Sequence, residues 1–120
     1  MRSPAVRLVL VALAMIGVVL AATLLREPAL PYVITAIDYH FHDAHPTFPI
    51  APGRDLVVRN EGRNVHNVTI LALDVASDVA PGDEFTVEDI AGRLEPGNYE
   101  LFCRFHEDRG MTGVIVIAGS

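Results

Sequence analysis

Three Pro-Gly pairs, Pro52-Gly53, Pro81-Gly82 and Pro96-Gly97, cut this chain into short apolar runs and set the tightest limit on its fold. Proline presets one backbone torsion and glycine accepts the left-handed region, so each pair predicts a turn. Upstream of the first pair, Val33-Thr35-Ile37-Tyr39-Phe41 alternates with Ile34-Ala36-Asp38-His40-His42, which is the period of a strand. Leu56-Val57-Val58 and residues 68–73 are short apolar runs. Further strands are expected over 85–90, 98–103 and 112–117. Beyond the N-terminus nothing is long enough for a helical bundle, so the pattern predicts an all-β chain folded as a β-sandwich.

The N-terminus differs in kind. Arg2 and Arg7 precede an uncharged run over 8–25 that ends at Arg26. The apolar part of a signal peptide is usually about 7–15 residues long, whereas about 18 or more suggests a spanning helix. Residues 1–26 are therefore read as a signal peptide or N-terminal membrane anchor, and the length tips the reading toward a retained anchor. Val19-Leu20-Ala21 offers a weak cleavage site. In both cases the basic end stays inside. The rest is exported, to the periplasm or the extracytoplasmic face of the membrane. Residues 27–31 form a short linker and 32–120 the folded domain. A tether over 26–31 reaches at most about 20 Å, and its two prolines stiffen it. It would hold the domain near a bilayer, where membrane-embedded partners are accessible.

Charge excludes one class of partner. The whole chain carries −6 and contains no Lys; from Thr23 onward seven Arg face fifteen Asp and Glu. Such a surface does not bind nucleic acid. It keeps a small exported domain soluble and, where a partner is basic, speeds association.

The chemistry is concentrated near the C-terminus. Cys103, the single cysteine, opens a Cys-x2-His-x4-Met run with His106 and Met111. With five His and three Met in 120 residues, that placement has a composition probability of (5/120) × (3/120), roughly one in a thousand. Thiolate and thioether are soft donors suited to Cu(I), and imidazole also serves Cu(II). A Cys, a His and a weak Met are the donors of a blue-copper centre, which needs a second imidazole. His66, in Asn64-Val65-His66-Asn67-Val68, is the best candidate. Zinc fits less well, because its usual Cys and His pair spacings are missing. Taken singly, Cys103 could be a small buried hydrophobe, His66 a core histidine and Met111 a packing residue. Together, in an exported chain where an unpaired cysteine is unusual, they read as a metal site. Strand periodicity puts Cys103 on a face with Leu101 and Tyr99, and His66 on a face with Val68 and Ile70, both toward an apolar interior.

These residues carry a family resemblance. The His66-Asn67 pair before an apolar strand, the Pro96-Gly97-x-Tyr99-x-x-x-Cys103 approach, the Cys-x2-His-x4-Met loop and the strand Gly113-Val114-Ile115-Val116-Ile117 resemble the cupredoxin family, in particular its plastocyanin-like blue copper members. A fainter echo starts at Tyr39 and runs through Pro49-Ile50-Ala51-Pro52-Gly53, so the resemblance covers about three quarters of the chain. It implies a cupredoxin-like Greek-key β-sandwich behind the export or anchor segment. It also implies one type 1 copper per chain, with His66, Cys103 and His106 as equatorial ligands, Met111 as the axial one and the ring edge of His106 as electron port. The chain departs from the pattern at Phe105, where plastocyanins usually carry proline. Unlike proline, Phe105 has a backbone N–H, which the loop can aim at the Cys103 sulfur.

Three function classes follow. The first is a type 1 (blue) copper electron-transfer protein, a single-electron carrier cycling Cu(I)/Cu(II) outside the cytoplasmic membrane, monomeric and served by redox partner proteins. The second is a copper-binding chaperone or buffer delivering copper to an extracytoplasmic oxidase. Cys103 favours the first, since Met111 is the single Met beyond the leader. An enzyme comes third, because four protein ligands leave no open position for substrate. His40, His42 and His45 form a second cluster; an i, i+2 pair on a strand can chelate a metal, and the plainer reading is a solvent-facing polar stripe.

Overall fold

The computed structural model describes residues 3–24, 28–44 and 49–119. Pro4–Leu24 form helix α1, exposed throughout 4–19. Among the described residues, no helix is long and apolar enough to cross a membrane.

From Tyr32 onward the chain is mostly β. The strands are β1 (Tyr32–Ile37), β2 (His40–His42), β3 (Leu56–Asn60), β4 (His66–Ile70), β5 (Val75–Val79), β6 (Glu84–Val87), β7 (Gly97–Phe102) and β8 (Thr112–Ile117), with a short helix α2 (Ile90–Arg93) between β6 and β7. They form two four-stranded sheets ordered β2-β1-β3-β6 and β5-β4-β7-β8. Pairing is antiparallel except between β1 and β3, which run parallel with Ile34 beside Val58. Ile34, Leu56 and Val58 of one sheet and Val68, Ile70, Leu101 and Ile115 of the other are all buried to within 1%. Removing each such side chain from water contributes about 1.5–3 kcal/mol, which drives the two apolar faces together.

The expected β-sandwich is present, with four local corrections. The run over 33–42 is two strands, because Asp38 adopts a left-handed φ of 53° and β2 folds back on β1 with Ala36 opposite Phe41. Asp tolerates that conformation through its short polar side chain. The turn also resets the parity: Ile34 and Ala36 face inward, while His40 and His42 face solvent. Leu71–Leu73 leave the strand as a 3-10 turn ended by Asp74, again left-handed. Ile90 belongs to α2, whose first turn is capped by the Asp89 carboxylate accepting from the Gly92 N–H. Strand β5 was not anticipated, since Ala76, Ser77 and Asp78 give it little apolar pattern. Its place comes from pairing with β4.

Gly113 shows how tightly β8 is seated. A Cβ there would stand 2.5 Å from the Ala44 Cβ, and the neighbouring Val114 N–H donates to the Ala44 carbonyl at 3.1 Å. Only glycine permits that approach. The contact fixes the strand that follows Met111.

Candidate metal centre

His66 opens β4 and Cys103 lies one residue beyond β7, so both sit at the same end of one sheet. Both are fully buried. The loop from Cys103 then closes on itself: the His106 N–H donates to the Cys103 carbonyl at 3.0 Å, and Glu107–Arg109 form a 3-10 turn ended by Gly110 at a φ of 80°. The Cys103 N–H donates to the Met111 carbonyl at 3.0 Å, and the Met111 N–H to the His106 carbonyl at 3.1 Å. Met111 is fully buried.

This loop brings three donors together. His66 Nδ1 and His106 Nδ1 are 3.3 Å apart, and Cys103 Sγ is 3.5 Å from His106 Nδ1. One ligand atom from each of the three lies within 4.8 Å of the others. For metal–N bonds of about 2.0–2.1 Å and a metal–S bond of about 2.3 Å, trigonal or tetrahedral angles place two nitrogens about 3.3–3.6 Å apart and nitrogen and sulfur about 3.6–3.8 Å apart. The observed spacing fits an ion with little movement. The Nδ1 side of the His66 ring faces His106, and its Nε2 is buried without a hydrogen-bond partner among the described residues.

Electrostatics keep His66 ready to ligate. Burial pushes its pKa below the usual imidazole value, and the nearby His106 lowers it further, against a smaller upward pull from Asp38. A neutral imidazole carries the lone pair a metal needs. The sulfur accepts a hydrogen bond from the Asn67 backbone N–H at 3.2 Å. That overturns the expectation for Phe105, which lies 45% exposed beneath the Arg104 guanidinium. The donor is Asn67, because β4 runs beside the end of β7 and turns this N–H toward the sulfur.

Two further residues escaped the sequence reading. Asn60 is fully buried and grips the segment that delivers His66: its Nδ2 donates to the carbonyls of Asn64 and Val79, both at 2.8 Å, and its Oδ1 accepts from the Gly62 N–H at 2.9 Å. Asp78, on the unanticipated β5, accepts from the Asn67 side chain at 2.8 Å. Polar residues in short strands give no periodic signal, so neither was legible. The second histidine cluster is not drawn into the site. His40 and His42 are exposed with ring centroids 5.3 Å apart, and His45 lies outside the described residues. Among the described residues, one group of three or more His, Cys, Asp or Glu side chains converges, that of His66, Cys103 and His106.

Comparison with known proteins decides the family. The chain matches the Cupredoxin-like domain family over residues 8–117. It belongs to that family. Among solved structures, a reduced proline-to-phenylalanine mutant of amicyanin is similar at 18% identity, covering 73% of this chain and 82% of that one with a TM-score of 0.58. A purple cupredoxin from Nitrosopumilus maritimus is 19% identical over 72% of this chain and 99% of its own, with a TM-score of 0.57. A copper-containing nitrite reductase from Thermus scotoductus SA-01 is 16% identical, covering 79% of this chain but 24% of that one, with a TM-score of 0.62. No curated protein sequence matches. At these identities the structural likeness establishes the fold. The cupredoxin fold and the converging donor atoms of His66, Cys103 and His106 match a site for a single copper ion, with Met111 buried at the end of the same loop. The spacing alone would also suit zinc, and the soft thiolate and thioether in one donor set select copper.

Proposed function

We propose that this cupredoxin is a single-electron carrier with a type 1 copper centre, working outside the cytoplasmic membrane. The observation that carries the reading is the convergence of His66 Nδ1, Cys103 Sγ and His106 Nδ1 beside a fully buried Met111. His66, Cys103 and His106 would hold the ion in the equatorial plane and Met111 on the axis, and the ion supplies the Cu(I)/Cu(II) couple. The protein's part is to keep the donors still. They come from strand ends and from a loop closed by five backbone hydrogen bonds within 103–111, so little rearranges when one electron is gained or lost. His106 is the least buried of the three. Its ring meets Tyr39 edge-on at 4.9 Å between centroids and Phe105 at 6.4 Å, and this aromatic edge is where electrons would pass to a redox partner protein.

The N-terminal segment is proposed to direct export and, where retained, to hold the domain beside a membrane. Its apolar composition and full exposure over 4–19 support that reading. A copper chaperone or buffer is the weaker alternative. Metal handed between proteins must be reached by incoming ligands, and here two of the three donor residues, Cys103 and His66, have no exposed surface. An enzyme is weaker still, since the four ligands leave no open coordination position.

Voltammetry of the copper-loaded protein tests the proposal. The expected result is a reversible one-electron couple at one copper per chain, with copper retained against an equimolar chelator in both oxidation states. Release of copper on each change of oxidation state would favour the chaperone.

A further inference from the structure

Asp78 faces Asn67 directly across the β4–β5 ladder, and its carboxylate joins two side chains that each adjoin a metal ligand. Asn67 Nδ2 donates to Asp78 Oδ1 at 2.8 Å. Arg104 Nη2 donates to both oxygens of the same carboxylate, at 3.1 and 3.3 Å. Asn67 follows His66 and Arg104 follows Cys103. One carboxylate therefore ties the strand that carries one ligand to the loop that carries another.

The Asn67 amide is held at both ends. Its Nδ2 binds Asp78, its Oδ1 accepts from the Thr69 hydroxyl, and the side chain is fully buried. The backbone N–H of the same residue donates to Cys103 Sγ at 3.2 Å. On that edge of β4 the ladder to β7 among the described residues is the single pair Thr69 and Phe102, so no strand carbonyl competes for this N–H. The ladder to β5 on the other edge sets its direction, and the anchored side chain holds Asn67 in that position against the sulfur. Hydrogen bonds to a ligating sulfur tune a metal centre, and the groups that orient them matter nearly as much as the ligands.

We propose that Asp78, clamped by Arg104, is a positioning residue of the metal centre that holds Asn67 so that its backbone N–H stays on the Cys103 sulfur. Geometry outweighs charge in this role. The Arg104 and Asp78 side chains are 54% and 50% exposed, and a pair so open to solvent contributes little Coulomb energy of its own. Its use is to restrict the carboxylate to the orientation that Asn67 needs.

The test is amide exchange at Asn67, read by NMR on the full chain in detergent, first without metal and then with Cu(I). Asp78→Ala is expected to raise exchange at the Asn67 N–H at least tenfold while Val68 and Ser77 change less than twofold. Asp78→Asn keeps an acceptor for the Asn67 amide and is expected to stay within threefold of the natural protein. With Cu(II), the charge-transfer maximum should move in Asp78→Ala and hold in Asp78→Asn. Should Asp78→Ala not fold, Arg104→Ala, at an exposed position, replaces it and is expected to raise Asn67 exchange severalfold. Exchange at Asn67 unchanged within twofold in the folded variant, or raised equally along β4 and β5, overturns the proposal. Its second half rests on the copper reading, yet the metal-free comparison does not. A natural protein that gives no thiolate-to-copper band would sink the proposed function and leave the Asn67 result to decide this one.

Discussion

The Nδ1 atoms of His66 and His106 stand 3.3 Å apart although the residues are 40 positions apart in the chain, and Cys103 Sγ is 3.5 Å from the second of them. Without an ion, donors this close must share a proton or repel one another; an ion between them turns the crowding into attraction. Copper should therefore stabilise the fold. At free copper a hundredfold above Kd the linkage contributes about 2.7 kcal/mol, several degrees in Tm for a domain of roughly this size. Calorimetry with and without copper checks this, and coincident transitions would show that the ion does not seat between these donors.

Met111→Gln is expected to keep one copper per chain and to lower the reduction potential. An axial ligand is long and weak, so it tunes a centre more than it holds it, and a harder oxygen donor favours Cu(II). Voltammetry on the loaded variant gives the answer. A potential that stays level or rises would show that Met111 is not axial.

Phe105 offers a sharper contrast, because Asn67 and not Phe105 supplies the N–H to sulfur. Phe105→Pro and Phe105→Ala should then shift the potential equally, through loss of the ring that stands 6.4 Å from His106 and beneath Arg104 at 4.9 Å. A shift confined to the Pro variant would mean that the Phe105 N–H reaches the sulfur after all.

These outcomes trace what the sequence could and could not disclose. Cys103, His106 and Met111 were legible because their spacing is improbable and their donor chemistry is specific. His66 was legible because strand parity with Val68 and Ile70 turns it inward. Asp38 hid the hairpin between β1 and β2, since a left-handed Asp leaves no trace in an alternating run. Asn60 and Asp78 hold the site through hydrogen bonds across strands, and such partners are set by register rather than by local pattern.

Alkaline pH probes a different part of the fold. Tyr32 is 8% exposed and donates its hydroxyl to the Asp43 carbonyl at 2.6 Å. Burial pushes its pKa above the ordinary tyrosine value, and the Asp43 carboxylate adds to this against a smaller opposing effect of Arg54. The folded value exceeds the unfolded one, so the unfolded chain loses its proton first as pH rises. This contribution to stability is complete below about pH 10 and declines as pH climbs through the folded value. Tyr32→Phe should cost on the order of 1 kcal/mol near neutrality and flatten the alkaline decline. Urea titrations between about pH 8 and 11 would refute this if both proteins lost stability in parallel.

The optical spectrum of the protein with Cu(II), taken before and after ascorbate, tests the central claim most directly. A buried thiolate bound to copper predicts an intense visible charge-transfer band that bleaches on reduction, returns on reoxidation and is missing from Cys103→Ser. A colourless copper complex, or colour that survives the loss of Cys103, would contradict the account.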